Sequence, residues 1–226
     1  MKKMKFMALL VSAALMLGSC GMSNTAKGGM IGGGSGAALG ALIGKMAGKS
    51  GKSTAIGAAI GTAVGTTAGI LIGKKMDKAK AAAEAVENAQ VEGVTDANGL
   101  QAVKVTFDSG ILFDLNSSTL KSAARNSLTE FSTVLKNNNN MDVAIFGHTD
   151  KTGTLEVNQR ISLQRAQSVQ NFLKGQGVAA DQMVTVEGKD YQEYDDAKSA
   201  AENRRVEIYL YASKEMIEAA NNGTLQ

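Results

Sequence analysis

The sequence predicts a small α+β domain, a two-layer α/β sandwich of βαβαβ type, preceded by a glycine-rich helical hairpin. Alternating apolar segments of strand length recur through the second half, and segments with helical spacing lie between them. Most of the 26 glycines lie before residue 74, and the chain has no proline. The first third is therefore expected to differ in structure from the rest.

The first 19 residues have the order of a secretory signal peptide. Three lysines precede an apolar run from Phe6 to Leu17, which is short for a membrane-spanning helix. The run leads to Leu-Gly-Ser-Cys, which resembles the lipobox of bacterial lipoproteins, where cleavage precedes the cysteine and its thiol is acylated, for example with palmitate. Cys20 is therefore predicted to be the lipidation site, residues 20–27 a lipidated linker, and the lipid a stable membrane anchor.

Cleavage also removes the apparent basicity of the chain. Without the three N-terminal lysines, the 24 basic residues fall to the same number as the 21 acidic ones. The remaining lysine excess lies before residue 81, whereas the predicted folded domain is acidic. This distribution disfavours nucleic acid as a partner, because a nucleic-acid-binding domain carries its basic patch on the folded surface.

Glycine recurs at every fourth position in residues 28–75, at 32, 36, 40, 44 and 48 and again at 57, 61, 65, 69 and 73. This spacing puts the glycines on one helical face, where a second helix can approach closely, and resembles the glycine-zipper hairpins beside outer-membrane lipoprotein domains. Two interpretations stay open. Residues 53–73 are long enough to cross a bilayer, but glycine and alanine contribute little transfer free energy, so the hairpin could instead self-associate at the membrane surface as a homo-oligomer.

The turn of this hairpin, "GKMAGKSGKST", is not a nucleotide-binding P-loop. A P-loop requires glycine five residues before each Gly-Lys-Ser, and those two positions hold Ile43 and Met46. No nucleotide and no cofactor is predicted.

The rest of the chain divides at its composition changes. Residues 76–95 are alanine-rich and charged and are predicted as a helical linker, which ends at "GVTDANG". Residues 96–212 are predicted as the folded domain and 213–226 as a tail. The predicted strands are "AVKVTF", "MDVAIFG", "MVTVEG" and "RRVEIYLY". One helix is predicted after a cap at Ser117 or Ser118, a second from Asn158 to Gly175, and a short helical turn before the last strand.

The second helix contains one residue that does not match its surroundings. Stepping about 100° per residue groups the apolar side chains on one face, and Arg165 falls near the middle of that face. Ser162 lies beside it, whereas the opposite face carries Arg160, Gln164, Gln167, Asn171 and Lys174. An inward guanidinium stays charged and therefore needs an acid or an anionic ligand.

Asp150, in the loop that enters this helix, is the candidate partner for Arg165. One interpretation is a purely structural salt bridge between Asp150 and Arg165. The other is a clamp for a zwitterion, in which the acid binds an ammonium, the arginine binds a carboxylate and Asn158 helps to orient the ligand. The only histidine of the sequence, His148, raises the question of a catalytic dyad with Asp150, but is interpreted as shaping the strand end.

Two longer motifs, "GHTDKTGTLEVNQRISLQRAQSVQNFL" and "NRRVEIYL", resemble the OmpA-like domain shared with peptidoglycan-associated lipoproteins. The resemblance covers roughly residues 103–212. It implies non-covalent binding of the peptidoglycan stem peptide, with Asp150 and Arg165 matching the residues that bind diaminopimelate. Asn116, Asn158 and Arg204 match further ligand contacts. The sequence departs from the family pattern at "GKDYQEYDD", where many members have Gly-x-Gly and a proline-containing loop.

The leading hypothesis is a structural lipoprotein of the outer membrane, with its wall-binding domain in the periplasm. The alternative is an envelope stress or assembly protein whose glycine hairpin oligomerises, so that wall binding only localises it. A wall hydrolase is disfavoured, because the acylated cysteine is no nucleophile, one histidine cannot supply the usual metal-ligand set and no acid pair stands out. No enzyme activity and no metal site is predicted.

Overall fold

The computed structural model describes residues 64–96 and 99–226. Cys20, the predicted signal peptide and most of the predicted hairpin lie outside the described residues. In chain order the elements are α1 (Thr66–Glu84), β1 (Gln90–Thr95), β2 (Gln101–Asp108), α2 (Ser109–Leu112), α3 (Ser122–Asn137), β3 (Met141–Gly147), α4 (Leu155–Gly175), β4 (Met183–Gly188), α5 (Ala200–Asn203), β5 (Arg205–Ala212) and α6 (Lys214–Asn221).

The strands form one mixed sheet in the order β1-β2-β5-β3-β4. All neighbouring strands are antiparallel except β3 and β4, which are parallel because α4 carries the chain back between them. The predicted combination of a sheet with a helical layer is thus confirmed. The four predicted strands are all present, and α5 supplies the predicted helical turn.

The main core lies between the helices and one face of the sheet. Val206, Ile208 and Leu210 alternate along β5 and are all fully buried in it. Phe107 of β2 and Phe131 of α3 meet edge to face with ring centroids 5.8 Å apart. Alternation in the strands and helical spacing in α3 therefore direct their apolar side chains into a common layer.

The predicted start of the folded domain at residue 96 is wrong. Residues 90–95, assigned to the linker, form β1 and pair with β2 along their whole length, from Gln90 opposite Thr106 to Thr95 opposite Gln101. The sequence pattern does not predict this strand, because β1 is an edge strand with exposed polar residues and a glycine that lowers its strand propensity.

The linker helix and the tail also belong to the folded unit. Of the seven residues that helix α1 buries, five recur at intervals of three or four: Ala68, Ile72, Met76, Ala79 and Ala83. Helix α6, in the predicted tail, buries Met216, Ile217 and Ala220 and packs against α1. The alanine-rich, charged composition predicts a helical linker, but the small side chain of alanine also permits close packing. No helix in residues 64–96 or 99–226 is long and apolar enough to span a bilayer.

The helix starts differ in detail from the predictions. Helix α3 begins at Ser122 after Lys121, and neither Ser117 nor Ser118 caps it. Helix α4 begins at Leu155, three residues before the predicted Asn158, and Thr154 caps it by accepting a hydrogen bond from the backbone N–H of Val157.

Two glycines set the position of α4 on the sheet. A Cβ atom at Gly147, the last residue of β3, would overlap the carbonyl group of Ser162. A Cβ at Gly188, the last residue of β4, would overlap the backbone of Leu163. The helix therefore lies unusually close to the ends of both strands, one turn from Arg165.

Candidate ligand-binding site

The predicted site residues meet where β3 ends and α4 begins. The loop after β3 supplies Asp150, the inner face of α4 supplies Asn158 and Arg165, and Arg204 precedes β5. Asp150, Asn158 and Arg165 are buried, whereas the side chain of Arg204 is about a third exposed. The inward direction predicted for Arg165 is confirmed, since it is 4% exposed while Arg160 is exposed.

The carboxylate of Asp150 is fixed by three donors. Its Oδ1 accepts hydrogen bonds from the backbone N–H of Thr152, at 2.9 Å, and from the Thr152 hydroxyl. Its Oδ2 pairs with Nη1 of Arg204. Burial raises the pKa of Asp150, but these hydrogen bonds and the charge of Arg204 outweigh it and hold the pKa below its ordinary value. Asp150 is therefore a fixed negative charge at neutral pH.

Arg165 is held by a different set of contacts. Its Nε donates to the backbone carbonyl of Ser117 at 3.0 Å, and its guanidinium lies over the ring of Phe113, 5.3 Å from the centroid. Burial lowers the pKa of Arg165, repulsion from Arg204 lowers it further and attraction to Asp150 opposes both. The guanidinium still stays charged, because an arginine pKa does not fall into the physiological range.

The structure does not support the simple salt bridge between Asp150 and Arg165. In the part of the chain that the structure describes, Asp150 forms its ion pair with Arg204, and Arg165 uses only Nε for a hydrogen bond. The remaining N–H groups of Arg165 are directed to no protein acceptor among these residues. The site thus combines two arginines with one paired acid, a net positive environment with donors to spare.

Asn158 and Asn116 shape the two loops beside this pair. Nδ2 of Asn158 donates to the backbone carbonyl of Thr152 at 2.9 Å, which ties the first turn of α4 to the loop that carries Asp150. Asn116 is exposed and has φ of 53°, a left-handed conformation that asparagine tolerates better than most residues. Its turn presents the Ser117 carbonyl to Arg165.

Sequence reasoning missed several contacts of this site. Thr152 acts through a local turn, Ser117 through its backbone carbonyl and Phe113 through its ring face. Neither a sequence motif nor a helical wheel detects contacts of these kinds. The pairing of Asp150 with Arg204 joins residues 54 positions apart. Only the resemblance pointed to Arg204, without indicating its partner.

His148 is not directed at Asp150. It is 1% exposed, and its ring nitrogens face two carboxylates, Glu193 at 3.9 Å from Nδ1 and Glu207 at 3.5 Å from Nε2. The expectation that a single histidine leaves no metal-ligand group is wrong for the described residues, because the fold brings both glutamates to it.

Two family models match the chain. Residues 112–207, which contain all the site residues described above, match the OmpA family. Residues 112–207 form an OmpA-like domain. Residues 1–77 match the YMGG-like Gly-zipper family, in agreement with the glycine repeat of the sequence.

Two named relatives each match about half of the chain. The chain is 36% identical over 121 residues to the probable lipoprotein YiaD of Escherichia coli strain K12, an alignment covering 52% of this chain and 55% of YiaD. It is 38% identical over 99 residues to a peptidoglycan-associated lipoprotein of Pseudomonas putida, covering 42% of this chain and 59% of that protein. The chain thus spans less than two thirds of either relative.

A solved structure supports the fold. A MotB-like protein from Desulfovibrio vulgaris superposes with a TM-score of 0.51 at 20% identity, over 63% of this chain and 94% of that one. This likeness concerns the architecture of the domain.

Proposed function

We propose that this protein is an outer-membrane lipoprotein whose OmpA-like domain binds peptidoglycan without covalent chemistry and tethers the membrane to the cell wall. The observation that carries the proposal is Arg165, a buried guanidinium with unused donors next to the fixed carboxylate of Asp150. The relative named peptidoglycan-associated lipoprotein supports the same ligand class.

The ligand chemistry that fits is a zwitterion within the stem peptide, of the diaminopimelate type. Its ammonium would approach Asp150, whose carboxylate is held deprotonated by Thr152 and Arg204. Its carboxylate would accept from the free N–H groups of Arg165 and from Arg204, whose partly exposed side chain can turn toward a ligand. Because the site has two arginines and one acid, we expect the carboxylate of the ligand to bind deeper in the site than its ammonium.

The same groups are poorly suited to catalysis. A general acid or base is most effective when its pKa lies near the working pH, and the pKa of Asp150 is held below its ordinary value. His148, the one histidine, faces Glu193 and Glu207 and does not contact Asp150. Binding without bond cleavage is therefore the proposed activity.

A second candidate function is supported by the match of residues 1–77 to a glycine-zipper family. In that case the N-terminal segment oligomerises in or on the membrane during envelope stress or assembly, and wall binding only localises the protein. Deleting residues 32–63 separates the two, because α1 and the domain stay intact. Loss of function with lipidation and wall binding preserved would favour this second candidate.

A pull-down on purified peptidoglycan sacculi tests the first proposal. We expect the full chain to sediment with sacculi and the double variant Asp150→Ala, Arg165→Ala to stay in solution. Arg160→Ala is the matched control, since Arg160 lies exposed on the same helix. Cosedimentation of the double variant at the level of the control would overturn the clamp, and clearing of the sacculus suspension would indicate a hydrolase.

A further inference from the structure

A second cluster of charged residues lies beside the ligand site, on the sheet face opposite the main core. Glu207 and Tyr209 alternate on β5 with the residues of the main core, and Tyr209 packs against Phe146 at a centroid distance of 5.7 Å. His148 follows β3 on this side. Glu193 comes from the loop after β4, within the stretch where the sequence departs from the OmpA-like pattern. Three potential metal ligands therefore converge, one of them from the loop in which the sequence departs from the family pattern.

The hydrogen bonding of this cluster is incomplete. Both ring nitrogens of His148 are buried without a hydrogen-bond partner, because the carboxylate oxygens at 3.5 and 3.9 Å are too distant. The carboxylate of Glu193 makes no hydrogen bond to the described residues, and the nearby ammonium of Lys189 is bound by Glu187 at 2.8 Å. Buried imidazoles are usually satisfied, so an unpartnered one beside two carboxylates points to an absent binding partner.

Glu207 is already oriented toward the histidine. Nε of Arg205 donates to its Oε1 at 2.7 Å, and the hydroxyl of Tyr209 donates to its Oε2 at 2.8 Å. Burial raises the pKa of Glu207, but His148 and Arg205 outweigh it and hold the pKa well below its ordinary value. These outer contacts resemble the supporting hydrogen bonds that fix carboxylate ligands around metal ions.

We propose that His148, Glu193 and Glu207 bind a divalent transition-metal ion of the Zn²⁺ class, through one ring nitrogen and one carboxylate oxygen each. The candidate ligand atoms lie within 4.8 Å of one another. Metal–ligand bonds of about 2.0–2.2 Å place neighbouring ligands of a tetrahedral ion roughly 3.4 Å apart, close to the separation of His148 Nε2 and Glu207 Oε2. Glu193 completes the set by rotating inward, and water takes the fourth position.

Glu193 also gives a metal ion access to the cluster from solvent. Its side chain is 26% exposed, whereas those of His148 and Glu207 are 1% and 6% exposed. Burial raises the pKa of Glu193, and Glu207 adds to this, while His148, Lys189 and Arg205 oppose it. A bound cation would offset the negative charge of the Glu193 carboxylate. The alternative to a metal ion is a proton on His148, which would make the ring a cation that interacts with both glutamates.

The single histidine makes the test direct. The full chain, purified in detergent micelles and labelled with ¹⁵N in the histidine ring, gives signals from His148 alone. We expect one equivalent of Zn²⁺, added as the metal alone, to shift one ring-nitrogen signal and to saturate. A ring that titrates with pH but does not respond to Zn²⁺ would overturn the proposal in favour of the proton.

Two glutamine variants then test the ligand set. Glu193→Gln is expected to weaken Zn²⁺ binding on the order of tenfold or more, because it removes a charged ligand. Glu187→Gln is the matched control, since Glu187 lies nearby on β4 with a similarly exposed side chain but outside the cluster, and we expect an affinity within about twofold of the unchanged chain. Equal affinity of Glu193→Gln and the unchanged chain, or equal losses in both variants, would contradict the assignment.

The unchanged chain supplies a further measurement if a variant fails to fold. Zn²⁺ is expected to raise the Tm relative to the chain in chelator, because a ligand that binds only the folded state stabilises it. An unchanged Tm at saturating Zn²⁺ would overturn the proposal. The sacculus pull-down does not depend on this result, because the metal ligands and the clamp residues are different side chains.

Discussion

Asp150 is the residue whose environment decides how the site can work. Its carboxylate is held by Thr152 on one oxygen and by Arg204 on the other, so it is both ionised and fixed in orientation. A carboxylate in this state recognises an ammonium without first losing a proton. Thr152 and Arg204 therefore both support Asp150 in the proposed clamp.

Thr152→Val tests this role. The variant keeps the backbone donor and the side-chain shape but removes the hydroxyl bond to Asp150. We expect stem-peptide binding to weaken by about fivefold as measured by calorimetry, corresponding to about 1 kcal/mol, the typical net contribution of one hydrogen bond. Thr152→Ser, which retains the hydroxyl, should bind normally. Normal binding by the valine variant would show that the hydroxyl does not orient Asp150.

At the scale of elements, some features followed from the sequence and others required the fold. The inner face of α4 was predictable in part, because Val169 and Leu173 are buried on the same side as Arg165, as the helical wheel indicates. The wheel does not explain the burial of Asn158 or the exposure of Leu163. Strand β1 and helix α6 were missed because each is short and depends on a partner elsewhere, β1 on β2 and α6 on α1. Short amphipathic segments become recognisable only when the surface they cover is known.

The close packing of α4 on the sheet predicts a cost for enlarging Gly147. A Cβ there would overlap the Ser162 carbonyl, so Gly147→Ala must displace α4. We expect a loss of about 1–3 kcal/mol in the free energy of unfolding, measured by urea denaturation, together with weaker peptidoglycan binding. Gly175→Ala, at the end of the same helix, has open space around the new methyl group and should not destabilise. Equal stability of the two variants would contradict the close approach.

Asp142 on β3 predicts a pH dependence of stability. Burial raises its pKa to about 6, and the charge of Glu215 on α6 contributes. Because the folded state holds this proton more tightly than the unfolded state, stability falls as the pH rises from about 4 to 6 and is then level. Asp142→Asn is expected to remove this slope and to stabilise the protein at pH 7 by about 1 kcal/mol, or 2–4 °C in Tm. A slope unchanged in the variant would contradict the assignment.

At the scale of the whole molecule, the glycine-rich segment and the domain are joined directly. Gly69 and Gly73, the last two glycines of the repeat, lie in α1, the helix that packs on the sheet domain. Helix α1 is roughly 28 Å long, so a membrane-bound segment before it would keep the domain near the lipid surface. Within residues 64–96, helix α1 and strand β1 therefore join the end of the glycine repeat to the sheet domain without a long flexible tether.

The site as a whole was partly predictable. The helical wheel identified Arg165, and the loop before the helix suggested Asp150 and Asn158 as its neighbours in a clamp. The resemblance added Asn116 and Arg204. The wheel could not identify the partner of Asp150, because Arg204 lies on a different element and only the sheet brings it near. The cluster of His148, Glu193 and Glu207 was missed for the same reason, since its members come from three separate segments.

The most direct test of the clamp compares two stem peptides that differ in one group. A diaminopimelate-type peptide carries the side-chain carboxylate that Arg165 is proposed to bind, and a lysine-type peptide lacks it. We expect calorimetry to give at least about tenfold tighter binding of the diaminopimelate peptide, and this preference to disappear in Arg165→Ala but not in Arg160→Ala. Equal affinity of the unchanged protein for both peptides would contradict the account.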